Sequence, residues 1–137
     1  MDCLGCRIAN KIENVHVVYE DELIICILDM EPFNEGHLLI LPKNHFLDVD
    51  EITLETLSAI MNASVKMTQV LKKVFNPHGI TICQNGGIFN DLTHYHMHVI
   101  PRYSKDGFAW SEPIINHGAE RRLNETKQRM VTEGGLH

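Results

Sequence analysis

Basic residues are in short supply in this 137-residue chain, with 12 Lys and Arg against 18 Asp and Glu and a formal charge of −6. That balance excludes a surface built on a lysine and arginine stripe to neutralise a nucleic-acid backbone, while leaving room for a local phosphate site. Long apolar runs are missing too. The first twenty residues carry Asp2, Arg7, Lys11, Glu13 and Glu20, which suits neither a signal peptide nor a membrane span, so a soluble, cytoplasmic protein without a membrane partner is expected. Repeats, low-complexity tracts and linkers are also absent. One domain over residues 1–137 is therefore expected, and a 44% hydrophobic content is enough to fill its core. Four cysteines in a cytosolic chain read as thiols or metal ligands rather than a disulfide framework.

What is present follows an α+β order. Residues 3–12 have turn and helix character. Residues 15–19 and 23–28 are β-rich runs split by Glu20-Asp21-Glu22, the pattern of a hairpin. A Pro-, Asn- and Gly-bearing loop over residues 30–36 precedes an apolar strand at 37–41, which Pro42 ends. Over residues 53–75, Leu54, Leu57, Ile60, Met61, Val65, Thr68, Leu71 and Phe75 recur at helical steps and predict one long amphipathic helix. Strands are predicted at 80–83 and 96–100, and a surface helix at 120–131 within a C-terminal tail of residues 116–137. Strands, one long helix, then strands suit a largely antiparallel sheet.

The segment His94-Tyr95-His96-Met97-His98-Val99-Ile100 alternates with period two, so an extended backbone turns three imidazoles to one side. At a rise of about 3.3 Å per residue, neighbouring rings start about 6.6 Å apart, within reach of one phosphate or one metal. Three readings are open at this point. The rings are satisfied polar groups on an exposed sheet face, or a transition-metal site, or a covalent catalyst in which one imidazole attacks phosphorus while its neighbours fix its tautomer.

The wider sequence around these histidines resembles the histidine triad superfamily. His-x-His-x-His followed by two apolar residues and Pro101-Arg102 is the signature that names it. Asp29-Met30-Glu31-Pro32 with Gly36-His37-Leu38-Leu39-Ile40-Leu41-Pro42-Lys43-Asn44-His45 is similar to its other signature, and Asn85-Gly86-Gly87 and Cys3-Leu4-Gly5-Cys6 add two more matches. The resemblance implies an α+β fold that dimerises through one continuous sheet. It also implies a nucleotide hydrolase or transferase that acts at the α-phosphate of purine nucleoside phosphoramidates or dinucleoside polyphosphates. By the same resemblance His96 is the nucleophile, His98 donates to the phosphate or leaving group, and His94 and His37 orient the other rings. Asp29 matches the group that binds the ribose hydroxyls, and Asn85 an amide near the phosphate. Read without the resemblance, Asp29 is a loop cap, Asn85 a turn residue and His37 a buried, satisfied histidine.

Cys3 and Cys6 have the spacing of paired thiolate ligands to a tetrahedral zinc. The resemblance completes the set with His45 and His94, and a closed Cys2His2 shell makes the metal structural, with no catalytic metal required. Ordinary buried thiols, an empty site and redox chemistry are the alternatives; nothing precedes residue 3 to form the strand a thioredoxin-type pair needs. Cys26 and Cys83 lie in apolar strands and are expected in the core. His16, His78, His117 and His137 match no motif.

Two features depart from the family pattern. Asp91 stands where many members carry serine or threonine, among the residues facing the nucleotide, and a carboxylate there repels a phosphate unless protonated, paired or turned away. The segment from Asn85 to His94 is about two residues shorter than the common form. Trp110 is expected over the site or at a dimer seam, or in ordinary surface packing. Two non-hydrolytic readings also stand: a purine-nucleotide-binding regulatory protein, and a metal-storage or metal-sensing protein loaded through His96 and His98.

Overall fold

A computed structural model describes residues 3–109, 111 and 114–136. Trp110 lies outside the described residues. The elements run α1 (Leu4–Ala9), β1 (Val17–Glu20), β2 (Ile24–Leu28), β3 (Leu38–Pro42), α2 (Leu54–Phe75), β4 (Gly79–Cys83), β5 (Met97–Arg102) and α3 (Leu123–Thr132). The five strands form one sheet in the order β1-β2-β3-β5-β4, antiparallel at every pairing. The expected α+β architecture, with one long helix and a C-terminal helix, is what forms.

Both faces of the sheet are covered. Alternation along β2, β3 and β5 sends Ile24, Cys26, Leu38, Ile40, Met97 and Val99 to one side, against Ile60, Ala63, Met67 and Leu71 of α2. The opposite alternation sends Ile25, Ile27, Leu39 and Leu41 to the other side, beneath Ala9, Ile8, Val15 and Leu92. Thr53 caps α2 by accepting the Thr56 N–H, and Asn76, at φ 48°, closes it in the left-handed region asparagine tolerates. Full burial of each large aliphatic side chain here stabilises the fold by about 1.5–3 kcal/mol.

The α2 stripe differs in detail from the expected one. Thr56, Ile60, Ala63, Ser64, Met67 and Leu71 form the buried face, while Leu54, Met61 and Val65 are exposed. A helix advances 100° per residue, so Met61 and Val65 sit one step round from Ile60 and Ser64 and miss the sheet. Cys26 is fully buried, but Cys83 is only half-buried, because β4 is an edge strand with one side open. No helix among the described residues is long and apolar enough to cross a membrane.

The histidine segment also differs. β5 begins at Met97, and His94 and His96 precede it. The cause lies in the His94 carbonyl, which accepts from the His96 ring and from the Asn90 side chain and so cannot serve a sheet ladder. Tyr95, Met97 and Val99 still point to the α2 side, and the three rings to the other.

Candidate active site

The floor of the site is β3 beside β5, with His98 directly opposite Leu39. His37, just before β3, reaches His98 along that face: its Nε2 lies 2.9 Å from His98 Nδ1 and 3.4 Å from Asp29 Oδ2. Phe33 stacks on the His37 ring at a centroid distance of 5.1 Å. Asp29 follows β2, and its other oxygen accepts the Glu31 N–H at 2.9 Å, so both the loop-cap role and the aim toward the histidines are realised.

Backbone groups assign each ring's tautomer. The Phe33 N–H can only donate, and it meets His37 Nδ1 at 3.0 Å. Neutral His37 therefore carries its proton on Nε2 and donates it to His98 Nδ1, which leaves the His98 proton on Nε2. The His94 carbonyl can only accept, so His96 carries its proton on Nδ1, 2.9 Å away, and its Nε2 has a free lone pair. His94 donates from Nε2 to the Pro42 carbonyl at 2.8 Å, freeing Nδ1. One ring thus offers a nucleophilic nitrogen and its neighbour, 5.1 Å away between centroids, offers an N–H donor.

Burial keeps the donor neutral. The His98 pKa is pushed down to about 4, chiefly by desolvation and further by the charges His96 and His37 would carry. His37 is lowered as well, with desolvation outweighing the opposing pull of Asp29. Asp29, His37 and His98 are close enough to share a metal ion. The Phe33 N–H argues for a proton there instead, because a metal on His37 Nε2 would force the ring to lose its last proton while Nδ1 is already accepting.

A cleft of about 360 Å3 opens over His96 and His98. Its inner wall is apolar, from Ile8, Val15, Ile27, Leu28 and Leu39, and its rim carries Asp29, Glu31 and Asp91. The cleft thus offers a ligand an apolar slot, carboxylate acceptors at its rim, one imidazole nitrogen with a lone pair and one N–H donor. Asp91 stands beside the nucleophilic nitrogen, with Oδ1 3.5 Å from His96 Nε2 and a side chain 92% exposed.

Asn85 is exposed, does not line this cleft, and is engaged through its carbonyl, which accepts from Gln84. The amide that reaches the histidines is Asn90, which sequence reasoning missed. It is 5% exposed, donates to the carbonyls of His94 at 3.2 Å and Leu47 at 3.4 Å, and accepts the Leu92 N–H at 3.0 Å. The short segment between Asn85 and His94, with an amide two residues before an apolar position, was the available signal.

The second cluster lies behind His94. Cys3 Sγ, Cys6 Sγ, His45 Nδ1 and His94 Nδ1 all fall within 4.8 Å of one another. The closest sulfur–nitrogen separations are 3.6 Å for Cys3 to His94, 3.5 Å for Cys6 to His94 and 3.3 Å for Cys6 to His45. Tetrahedral zinc with ordinary bond lengths sets such pairs about 3.5 Å apart. Burial, and then the neighbouring Cys3, raise the Cys6 thiol to about 11, so that without a cation it keeps its proton. Gly5 makes the approach possible: a Cβ there would fall 2.2 Å from His94 Cβ.

The chain is 38% identical over 112 residues to Protein hit of Bacillus subtilis, an alignment covering 79% of this chain and 77% of that one. It is 29% identical over 133 residues to Adenylylsulfatase HINT3 of Arabidopsis thaliana, covering 96% and 66% respectively. Among solved structures, a HIT family member from Bacillus subtilis superposes with a TM-score of 0.86 at 29% identity, covering 100% of this chain and 98% of that one. A Zn-bound histidine triad family protein from Mycobacterium smegmatis superposes with a TM-score of 0.73 at 26% identity, covering 97% and 98%. The HIT domain matches residues 10–105, and the chain belongs to that family.

Proposed function

We propose that this protein is a nucleotide hydrolase or transferase that cleaves at the α-phosphate of a purine nucleoside 5′-phosphoryl compound through a covalent nucleotidyl-His96. The observation that carries this reading is the tautomer assignment, which leaves His96 Nε2 with a lone pair facing the cleft while His98 Nε2 carries a proton. In the first step the lone pair attacks phosphorus, the P–Nε2 bond forms, and the bond to the leaving group breaks with its electron pair. The leaving group takes a proton from water. In the second step water, or another acceptor, attacks the same phosphorus, and the pair returns to Nε2.

His98 stabilises the phosphoryl oxygens as a hydrogen-bond donor in both steps. Its depressed pKa favours that role over proton delivery, because a neutral imidazole that gave up its only proton would become an anion. His37 is a positioning residue that fixes His98, and Asp29 takes the ribose hydroxyls at the rim. The Arabidopsis relative named an adenylylsulfatase supports cleavage at a nucleotide phosphate.

Cys3, Cys6, His45 and His94 would hold a structural zinc ion, as the separations of their ligand atoms support. The metal would supply a clamp on the amino terminus and keep the thiols deprotonated. Its closed shell leaves the two steps above to the protein's own groups. A homodimer formed by pairing of the edge strand β4 with its copy accords with the exposed apolar Ile82 on that strand.

The test is intact-protein mass spectrometry after rapid quenching from an adenosine phosphoramidate, beside a His96→Asn variant. A nucleotide-sized adduct on His96, absent from the variant, is expected. Nucleotide binding with neither adduct nor product, across phosphoramidates and dinucleoside polyphosphates, would replace this reading with that of a regulatory binding protein.

A further inference from the structure

The contact between His37 and His98 admits two proton arrangements. At 2.9 Å, His37 Nε2 can donate to His98 Nδ1, or His98 Nδ1 can donate to His37 Nε2. In the first arrangement His98 keeps a proton on Nε2, and in the second it has a lone pair there and no donor to offer a ligand. Asp29 Oδ2, 3.4 Å from His37 Nε2 and 4.0 Å from His98 Nδ1, lies near the shared proton in both and does not choose between them. The choice falls to the Phe33 N–H, which meets His37 Nδ1 at 3.0 Å and keeps a proton off it.

What holds that N–H in place lies outside the cleft. Phe33 is 61% exposed, so burial does not fix it. Two ties run from it to one carboxylate. The first follows the chain: the Asn34 carbonyl accepts the His37 N–H at 3.0 Å across a turn with Gly36 at φ 97°, and Asn34 Nδ2 donates to the Pro101 carbonyl at 2.8 Å and to Asp106 Oδ2 at 3.0 Å. The second runs through rings: Phe33 stacks on His37, Phe108 meets Phe33 edge-on at 5.4 Å between centroids, and the Arg102 guanidinium lies 4.2 Å over Phe108.

Both ties end on Asp106. Five donors converge on its oxygens: Arg102 Nε at 2.7 Å, Arg102 Nη2 at 3.0 Å, the Tyr103 N–H at 3.0 Å, the Phe108 N–H at 3.1 Å and Asn34 Nδ2 at 3.0 Å. Its side chain is only 6% exposed, and Arg102 is held from its other side by Thr81 Oγ1 at 3.0 Å. Arg102, and then the Tyr103 N–H, hold this carboxyl well below the usual carboxylate range, so the anchor stays ionised. Asn34, Arg102, Asp106 and Phe108 do not line the cleft over His96 and His98, so they act on a ligand there only through other residues.

We propose that Asp106 is a positioning residue that, through Asn34 and Phe108, keeps the Phe33 N–H on His37 Nδ1 and so keeps the proton of His98 on Nε2. Its effect on turnover rests on the covalent mechanism above; its effect on the proton arrangement does not. Without this anchor the loop over residues 30–36 loosens, and the reverse arrangement is populated. His37 then holds its proton on Nδ1, His98 donates from Nδ1 to His37 Nε2, and the phosphoryl oxygens lose their donor.

Long-range proton–nitrogen NMR correlation spectra of the full chain labelled with 15N histidine, recorded at a mildly alkaline pH where the rings are neutral, read which nitrogen of each ring carries its proton. His37→Gln and His98→Gln variants assign the signals. Asp106→Asn tests the anchor directly. The double variant Asn34→Ala/Phe108→Leu cuts both ties but leaves the Arg102–Asp106 pair, and it decides the matter if Asp106→Asn does not fold. Ile60→Val, in the core on the far side of the sheet, is the control for lost stability alone. In the Asp106 and double variants, His37 Nδ1 should gain and His98 Nε2 lose part of its proton, and kcat for an adenosine phosphoramidate should fall about tenfold while KM stays within about twofold. Ile60→Val should alter neither. Variants that are less stable yet match the wild-type histidine spectrum overturn the proposal, as does a changed spectrum with unchanged kcat, or a wild-type spectrum with the His98 proton on Nδ1. A wild type that turns over no phosphoramidate refutes the covalent reading alone, and the spectra of the variants then decide whether Asp106 sets the His98 proton.

Discussion

Replacing Asn90 with alanine tests the link between the loop after Gly87 and the His96 ring. The amide makes three hydrogen bonds, to the His94 carbonyl at 3.2 Å, to the Leu47 carbonyl at 3.4 Å and from the Leu92 N–H at 3.0 Å, while only 5% exposed. Two of these have ordinary geometry, and each contributes about 1 kcal/mol net; the third is long and weak. Loss of the side chain also leaves the Leu92 N–H without its partner, so the total cost is about 2–3 kcal/mol. At roughly 2.1 cal/mol/K of unfolding entropy per residue, that lowers Tm by about 7–10 °C for a chain of this size. The His94 carbonyl keeps the His96 ring as a partner but loses its anchor, so kcat should fall more than KM rises. Calorimetry and steady-state kinetics on Asn90→Ala and Asn90→Asp give the answer. The carboxylate variant retains the Leu92 bond but sets an oxygen against two carbonyl oxygens, so it should be destabilised at least as much. An unchanged Tm in both variants would refute the assignment of Asn90 as the strut of this site.

Two further outcomes follow from the same geometry. Gly5→Ala should weaken zinc binding by about 10–100-fold in competition with a chromophoric chelator, because the new methyl meets His94, which is fully buried and tied to Pro42, and α1 has to retreat; unaltered affinity would show that α1 is not held against His94 as described. Stability should fall as pH drops through the window from about 6.5 to about 4, because His98 and His37 resist protonation when folded, and the unfolded chain takes up protons first. Urea midpoints of the chelator-treated protein measure this, with His98→Asn losing part of the slope, and a midpoint flat across that window would contradict the burial argument.

Much of this fold is written in local pattern. Continuous apolar runs at β2 and β3, the helical recurrence over 54–75 and the asparagine that stops it are all local signals, so these elements were legible with ends shifted by one position. The face of α2 that meets the sheet was less so. Met61 and Val65 are as apolar as the residues that are buried, and only the docking of the helix decides which stripe loses its water. Half-burial of Cys83 likewise follows from β4 being an edge strand, a fact of strand order rather than of residue type.

The candidate site divides in the same way. The sequence by itself determined which chemistry is available: three imidazoles on one side of an extended segment, a fourth ahead of β3, two thiols at ligand spacing and an acidic residue where a hydroxyl is common. Tertiary structure decided what each group can do. Whether an imidazole is a nucleophile, a donor or a ligand depends on which nitrogen holds its proton, and here that is set by the Phe33 N–H and the carbonyls of His94 and Pro42. Asn90, four residues before the first of the three histidines, is brought to the carbonyl that holds the His96 ring only by the closed turn beside it. Hydrogen bonds between groups distant in sequence have no local pattern to announce them, because they form only once packing has set the backbone within about 3 Å of its partners.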